Sequence, residues 1–163
     1  MYALPMAAKL GLWLLPLLAS VPAGDAASAP AKVTGLAPDC VDAEILGSVR
    51  RQTPLDVGDA MVVRWPWIVD IDVDRVLTGR APLGRLRVQT FQHTYYTTDL
   101  HRWWLRRNTL GGLNMYPADE KRGARLCDPA APPQRPFVDP GPRTTLDALQ
   151  REGEARYGRG PGD

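Results

Sequence analysis

Residues 67–79, WIVDIDVDRVLTG, place Asp70, Asp72 and Asp74 on every second position, with Val69, Ile71 and Val73 in the gaps. A period of two belongs to a β-strand, whose side chains point alternately to opposite faces. Thr78 to Gly84 carries Gly and Pro punctuation and reads as a turn. Arg85 to Phe91 then alternates again, with Leu86, Val88 and Thr90 on one face and Arg85, Arg87 and Gln89 on the other. Two strands joined by a short turn are antiparallel neighbours. The three aspartates can therefore face Arg85, Arg87 and Gln89 on a wet side, each opposite-charge pair contributing about 0.2–1 kcal/mol. Val69, Ile71 and Val73 turn to the core with Leu86 and Val88.

Other short strands follow from the same reasoning. Ile45 to Arg51 is one, ending at Thr53-Pro54, and Ala60 to Arg64 is another. Trp65-Pro66-Trp67 should interrupt the chain, because Pro cannot donate to a ladder. Ile68 to Leu77 is the strongest strand, and Gln92 to Leu100 reads as strand or loop. Arg102–Arg107, RWWLRR, and Leu113–Tyr116 form a hairpin candidate around Gly111-Gly112. Asp128 to Pro142 is too Pro-dense for helix or sheet interior. Thr144 or Thr145 can cap a helix from Leu146 to about Tyr157, with Asp147 in its first turn. The expected fold is all-β, a small OB-like barrel of five to six strands with a short C-terminal helix. Closure into a barrel removes unpaired edges.

The chain has 163 residues, a single-domain length. Its first residues read as a secretory signal peptide: the leader's one charge at Lys9, the apolar run LGLWLLPLL, then small residues with Val21-Pro22-Ala23 as a cleavage site and Ala27 or Ala29 as later ones. That run is short of the roughly 20 residues needed to span a bilayer, so no stable membrane insertion is expected after cleavage. The expected organisation is signal peptide 1–23, flexible arm 24–39, barrel 40–127, and Pro-rich tail with helix 128–163. Without the leader the balance falls from 20 basic and 18 acidic residues to 19 and 18, which argues against non-specific nucleic-acid binding. Ala, Pro and Arg richness suits a GC-rich bacterial source. Cys40 and Cys127 are the only cysteines. In an exported chain they read as a disulfide, which would contribute about 4–5 kcal/mol by loop entropy.

The candidate chemistry is sparse. Three aspartates on one strand could hold a cation, but they sit in rigid β-branched sequence rather than on a flexible Gly-containing loop. No metal and no cofactor is expected. His93 and His101 could each act as a base with an aspartate, yet no HExxH, Gly-x-Ser-x-Gly or Cys-His pattern accompanies them. Ser48 is the one serine of the expected barrel. The aromatic pairs say more. Trp65, Trp67, Tyr95, Tyr96 and Trp104, with Arg102, Arg106 and Arg107, make a candidate binding surface for a protein or saccharide through stacking and bidentate contacts. Alternation in RWWLRR sends Trp103 and Leu105 inward, leaving Trp104 and Arg106 facing out.

The segments CVDAEILGSVRR, IVDIDVDRVLTGRAPLGRLRVQT and ARLC resemble the netrin-like, TIMP-like family of secreted OB-type barrels over residues 40–127. The resemblance implies an interaction module. Its metalloproteinase inhibitors chelate zinc through the free amine of an N-terminal Cys, whose matching position is Cys40. An arm in front of Cys40 removes that free amine, so the inhibitory chemistry does not carry over. The function expected is a non-enzymatic binding domain in the bacterial periplasm or outside the cell. The alternatives are a small periplasmic hydrolase using His93 or His101 with an Asp, and a TIMP-like protease inhibitor. Mass spectrometry of the exported, unreduced protein should find a new N-terminus after Ala23, Ala27 or Ala29 and both thiols refractory to alkylation. A chain still carrying Met1, or two alkylated cysteines, would overturn the export and disulfide readings respectively.

Overall fold

The computed structural model describes residues 38–56, 64–118, 123 and 125–160. The leader, most of the arm and most of the Ala60–Arg64 run lie outside the described residues. Five strands and one helix follow in order: β1 Ala43–Pro54, β2 Trp65–Gly79, β3 Gly84–Gln92, β4 Leu100–Arg107, β5 Leu113–Pro117 and α1 Leu146–Tyr157. The strands close into a barrel in the order β1-β2-β3-β5-β4, with β4 returning to β1. This is the small OB-like barrel with a C-terminal helix that the alternation implies.

The aspartate comb explains the β2–β3 pairing. Asp70 lies opposite Arg87 and Asp72 opposite Arg85, while Val69 meets Val88 and Ile71 meets Leu86. Asp70 accepts from Arg87 Nε at 2.8 Å. Asp72 accepts from Arg85 Nε at 3.0 Å and from Arg50 Nε at 2.8 Å, so β1 joins the same network. Val69, Ile71 and Val73 are buried in the core with Val88. The expected wet face fails at Gln89. Its opposite residue is Ile68, and both are buried, because residues after Cys127 cover this part of the outer surface.

Pro54 and Pro66 belong to strands rather than breaking them. Pro54 is the last residue of β1 and pairs with Trp67, a position where a missing N–H interrupts nothing downstream. Pro66 lies near the start of β2, opposite Phe91, and its carbonyl accepts from Leu55 N at 3.0 Å. The expected break at Trp65-Pro66-Trp67 is therefore replaced by the beginning of β2. One end of the barrel is filled by aromatic rings, with Tyr95 edge-on to Trp67 at 4.8 Å and Tyr96 to Trp103 at 4.9 Å. Gln52 holds the loop that carries both tyrosines: Tyr96 N donates to its Oε1 at 2.7 Å, and its Nε2 donates to Tyr96 O at 2.8 Å.

One junction of the barrel is thin. β3 and β5 run parallel and share a single residue pair, Gln89 and Asn114. The Pro-containing segment after Cys127 lies across it as a strap. Val138 N donates to Gln89 Oε1 at 2.8 Å, and Asn114 Nδ2 donates to Arg135 O at 2.8 Å. Between these bonds Phe137 packs on Phe91 of β3 at 5.8 Å and on Tyr116 of β5 at 5.3 Å. The strap thus supplies polar partners and apolar contact that the short ladder lacks.

Helix α1 extends the cover onto β1. Thr145 Oγ1 caps it, accepting from Ala148 N at 3.1 Å, and Asp147 occupies the first turn, as the capping preference implies. Leu146 and Leu149 join Leu55, Ile68 and Val138 in a second small core. Gly153 admits no side chain, since a Cβ there would come within 2.4 Å of Pro54 O. At the far end of the barrel Cys40 and Cys127 form a disulfide with a Cα separation of 4.9 Å. Val41 N donates to Arg125 O, and Cys127 N donates to Val41 O, both at 2.9 Å.

Replacing Phe137 with Ala should lower stability by about 3 kcal/mol, the usual cost of deleting a packed aromatic ring. Urea unfolding would show this as a lower midpoint at unchanged slope. Leu83→Ala, at an exposed position, should leave the midpoint where it was. Equal midpoints for all three proteins would rule out the strap as a staple.

Candidate functional site

The aromatic and arginine residues singled out from the sequence do not form an exposed binding face. Trp67 is 1 % exposed, Trp104 6 % and Arg106 3 %. Trp65, Tyr95 and Tyr96 are half-buried against the core, and only Arg102 and Arg107 of the set are exposed. The alternation itself holds: Trp103 and Leu105 enter the core while Trp104 does not. The correction concerns what lies outside. Trp104 is flanked by Glu44 on β1 and Tyr116 on β5, because closure gives β4 a neighbour on both sides. Arg106 is covered by the strap, donating to Pro132 O.

The arginines of β4 serve Asp42 and Glu44. Asp42 Oδ2 accepts from Arg106 Nη1 at 2.7 Å and from Arg107 N at 2.6 Å, and its Oδ1 accepts from Arg107 Nε at 2.9 Å. Arg102 pairs with Glu44. Burial alone would raise the Asp42 carboxyl. The Arg107 amide and the two guanidinium groups reverse that and hold it below the ordinary carboxylate value. This cluster joins the start of β1 to the end of β4 and to the root of the strap, so its role is structural.

Neither histidine is built into a catalytic arrangement. Both are exposed. The ring of His101 bonds Thr97 Oγ1 at 2.7 Å and lies edge-on to Trp103. Among the described residues no ion pair links His93 or His101 to a carboxylate, and no three His, Cys, Asp or Glu side chains gather as metal ligands. Asp70 and Asp72 are engaged by arginine, whereas Asp74 is exposed.

A different region offers a recessed surface. β2 outruns β3: their pairing ends at Val73 opposite Gly84, while residues 74–79 continue along β1, with Val76 opposite Ile45 and Gly79 opposite Ala43. Gly79 turns the chain with φ +74°, where a Cβ would meet Asp42 O at 2.1 Å. Arg80 N then donates to Asp42 O at 3.2 Å. Between the overhanging strand and the returning loop is a hollow of about 480 Å³, lined by Asp74, Arg75 and Val76 on one side and Arg80, Ala81 and Leu83 on the other. Leu83 is 68 % exposed. Treating residues 78–84 as a simple turn misses this site. The signal available was a mismatch in length, since the run after Ile68 is longer than the run before Phe91.

Compared with protein-family models, curated proteins and solved structures, the chain matches none of them. The roles of its residues therefore rest on geometry. Asp42→Asn should cost about 3 kcal/mol at pH 7, since it leaves the buried Arg106 without its carboxylate. Because the folded carboxyl titrates below the unfolded value of about 3.9, its contribution is complete above that pH and fades as the pH falls through the lower folded value. The gap between the urea midpoints of the two proteins should thus narrow as the pH falls below about 3.9. A gap independent of pH would remove the charge from this account.

Proposed function

We propose that the chain is an exported, non-enzymatic binding module of the bacterial periplasm or extracellular space, whose partner is a protein or saccharide. The observation that carries this reading is the hollow beside β2. Its lining offers one carboxylate, two arginines and apolar side chains, with no histidine, cysteine or hydroxyl nucleophile. That combination suits recognition rather than group transfer. The leader supports export, and the Cys40–Cys127 disulfide fits an oxidising compartment. No helix among the described residues is long and apolar enough to cross a membrane. The resemblance of CVDAEILGSVRR, IVDIDVDRVLTGRAPLGRLRVQT and ARLC to netrin-like and TIMP-like domains adds to the same reading. Asp39 precedes Cys40 in the chain, so inhibition through a free Cys40 amine is not part of it.

Placing a photo-crosslinking residue at position 83 or position 157 of the exported protein tests the proposal in the source cell. A discrete adduct is expected from position 83, lost when Arg75 and Arg80 are both changed to Glu, and unaffected by His93→Ala or His101→Ala. Adducts from neither position, or from both alike, would overturn it.

A further inference from the structure

We infer that the hollow at the end of β2 is a strand-addition site for an extended segment of another protein that alternates acidic and apolar residues. The inference rests on the binding-module reading and gives its partner a chemistry. Three observations carry it.

The first is the backbone. Residues 74–79 remain in strand conformation and pair with β1 on one side, but no ladder joins them to β3 on the other. A strand with one free edge presents N–H and C=O groups that another extended chain can satisfy. The second is space. The recess beside that edge is shallow and open to solvent, which suits an extended chain laid along it rather than an engulfed small molecule. It is framed by a fixed loop, since the Gly79 turn and the Arg80 N bond to Asp42 hold the returning chain. A preset site loses less entropy on binding.

The third is charge. The arginines at neighbouring barrel positions are already matched: Arg50 and Arg85 with Asp72, Arg87 with Asp70, Arg102 with Glu44, Arg106 and Arg107 with Asp42. Arg75 and Arg80, which line the hollow, are exposed and form no ion pair among the described residues. With Asp74 as the one carboxylate in the same lining, Arg75 and Arg80 leave a net positive charge beside the free strand edge, which favours carboxylates on the incoming chain. Val76, Ala81 and the exposed Leu83 receive the apolar residues between them. The competing account is that Arg75 and Arg80 merely guard an edge against aggregation.

Titrating the full-length, isotope-labelled protein by NMR with short blocked peptides separates the two accounts. A peptide alternating glutamate and valine should bind saturably, with shifts concentrated on residues 74–83. The same peptide N-methylated at alternate amides should bind at least about tenfold more weakly, because the main-chain bonds are lost. A lysine–valine peptide should not bind. Arg75→Glu combined with Arg80→Glu should abolish binding without moving the urea midpoint. Equal binding of the N-methylated peptide would reduce the effect to charge attraction and end the strand-addition claim. Absence of saturable shifts on residues 74–83 would support edge protection instead. If shifts appear only on another face, the module reading survives and this location falls.

Discussion

A closed sheet must give every strand two neighbours, and in this barrel one junction provides almost none. β3 and β5 share one ladder pair, Gln89 with Asn114. Both side chains are buried, where an amide without partners carries a penalty of about 1–3 kcal/mol. The strap meets part of that demand from outside the ladder: Val138 N donates to Gln89 Oε1 and Arg135 O accepts from Asn114 Nδ2, Phe137 covers the gap, and of the two amides the buried Gln89 Nε2 alone has no partner among the described residues. The barrel and the residues after Cys127 are therefore one cooperative unit. The Pro-rich composition of the strap suits this task, since a chain with restricted backbone freedom loses less entropy on docking.

Electrostatics reinforce the same closure. Asp42 sits where β1 begins, β4 ends and the strap departs, and its bonds with Arg106 and Arg107 tie the three together. Most arginines of the barrel are used in this manner, each facing a carboxylate on an adjacent strand or on α1. Arg51, for example, meets Glu154 of the helix, and Arg87 meets both Asp70 and Asp147. Against that pattern the exposed pair Arg75 and Arg80 stands out, which is why the overhang of β2 attracts a functional reading where the aromatic residues do not.

Local periodicity made much of this legible in the sequence. The comb at Asp70 and Asp72 marked β2 and its antiparallel, charge-paired neighbour β3 but not the register, which leaves Asp74 and Gln89 out of the charge ladder; the Thr144-Thr145 pair marked the start of α1, and RWWLRR with its glycine turn marked the β4–β5 hairpin. What escaped is long-range. Period two tells which way Trp104 and Gln89 point; it does not tell what lies above them. Trp104 is covered because closure brings Glu44 and Tyr116 alongside, and Gln89 because residues from beyond Cys127 return across β3. The hollow was missed for a related reason: it comes from two strands of unequal length, a property of the pair rather than of either run.

The strap also bears on how the molecule reaches its native state. Gln89 and Asn114 receive their outer partners from residues 135–138, beyond all five strands. If the polypeptide emerges amino-terminus first, the barrel stays incomplete until residues 135–138 are available. A product ending before Val138 would leave the Gln89–Asn114 seam open to water and the thin junction without its cover, so closure of the barrel waits on the strap.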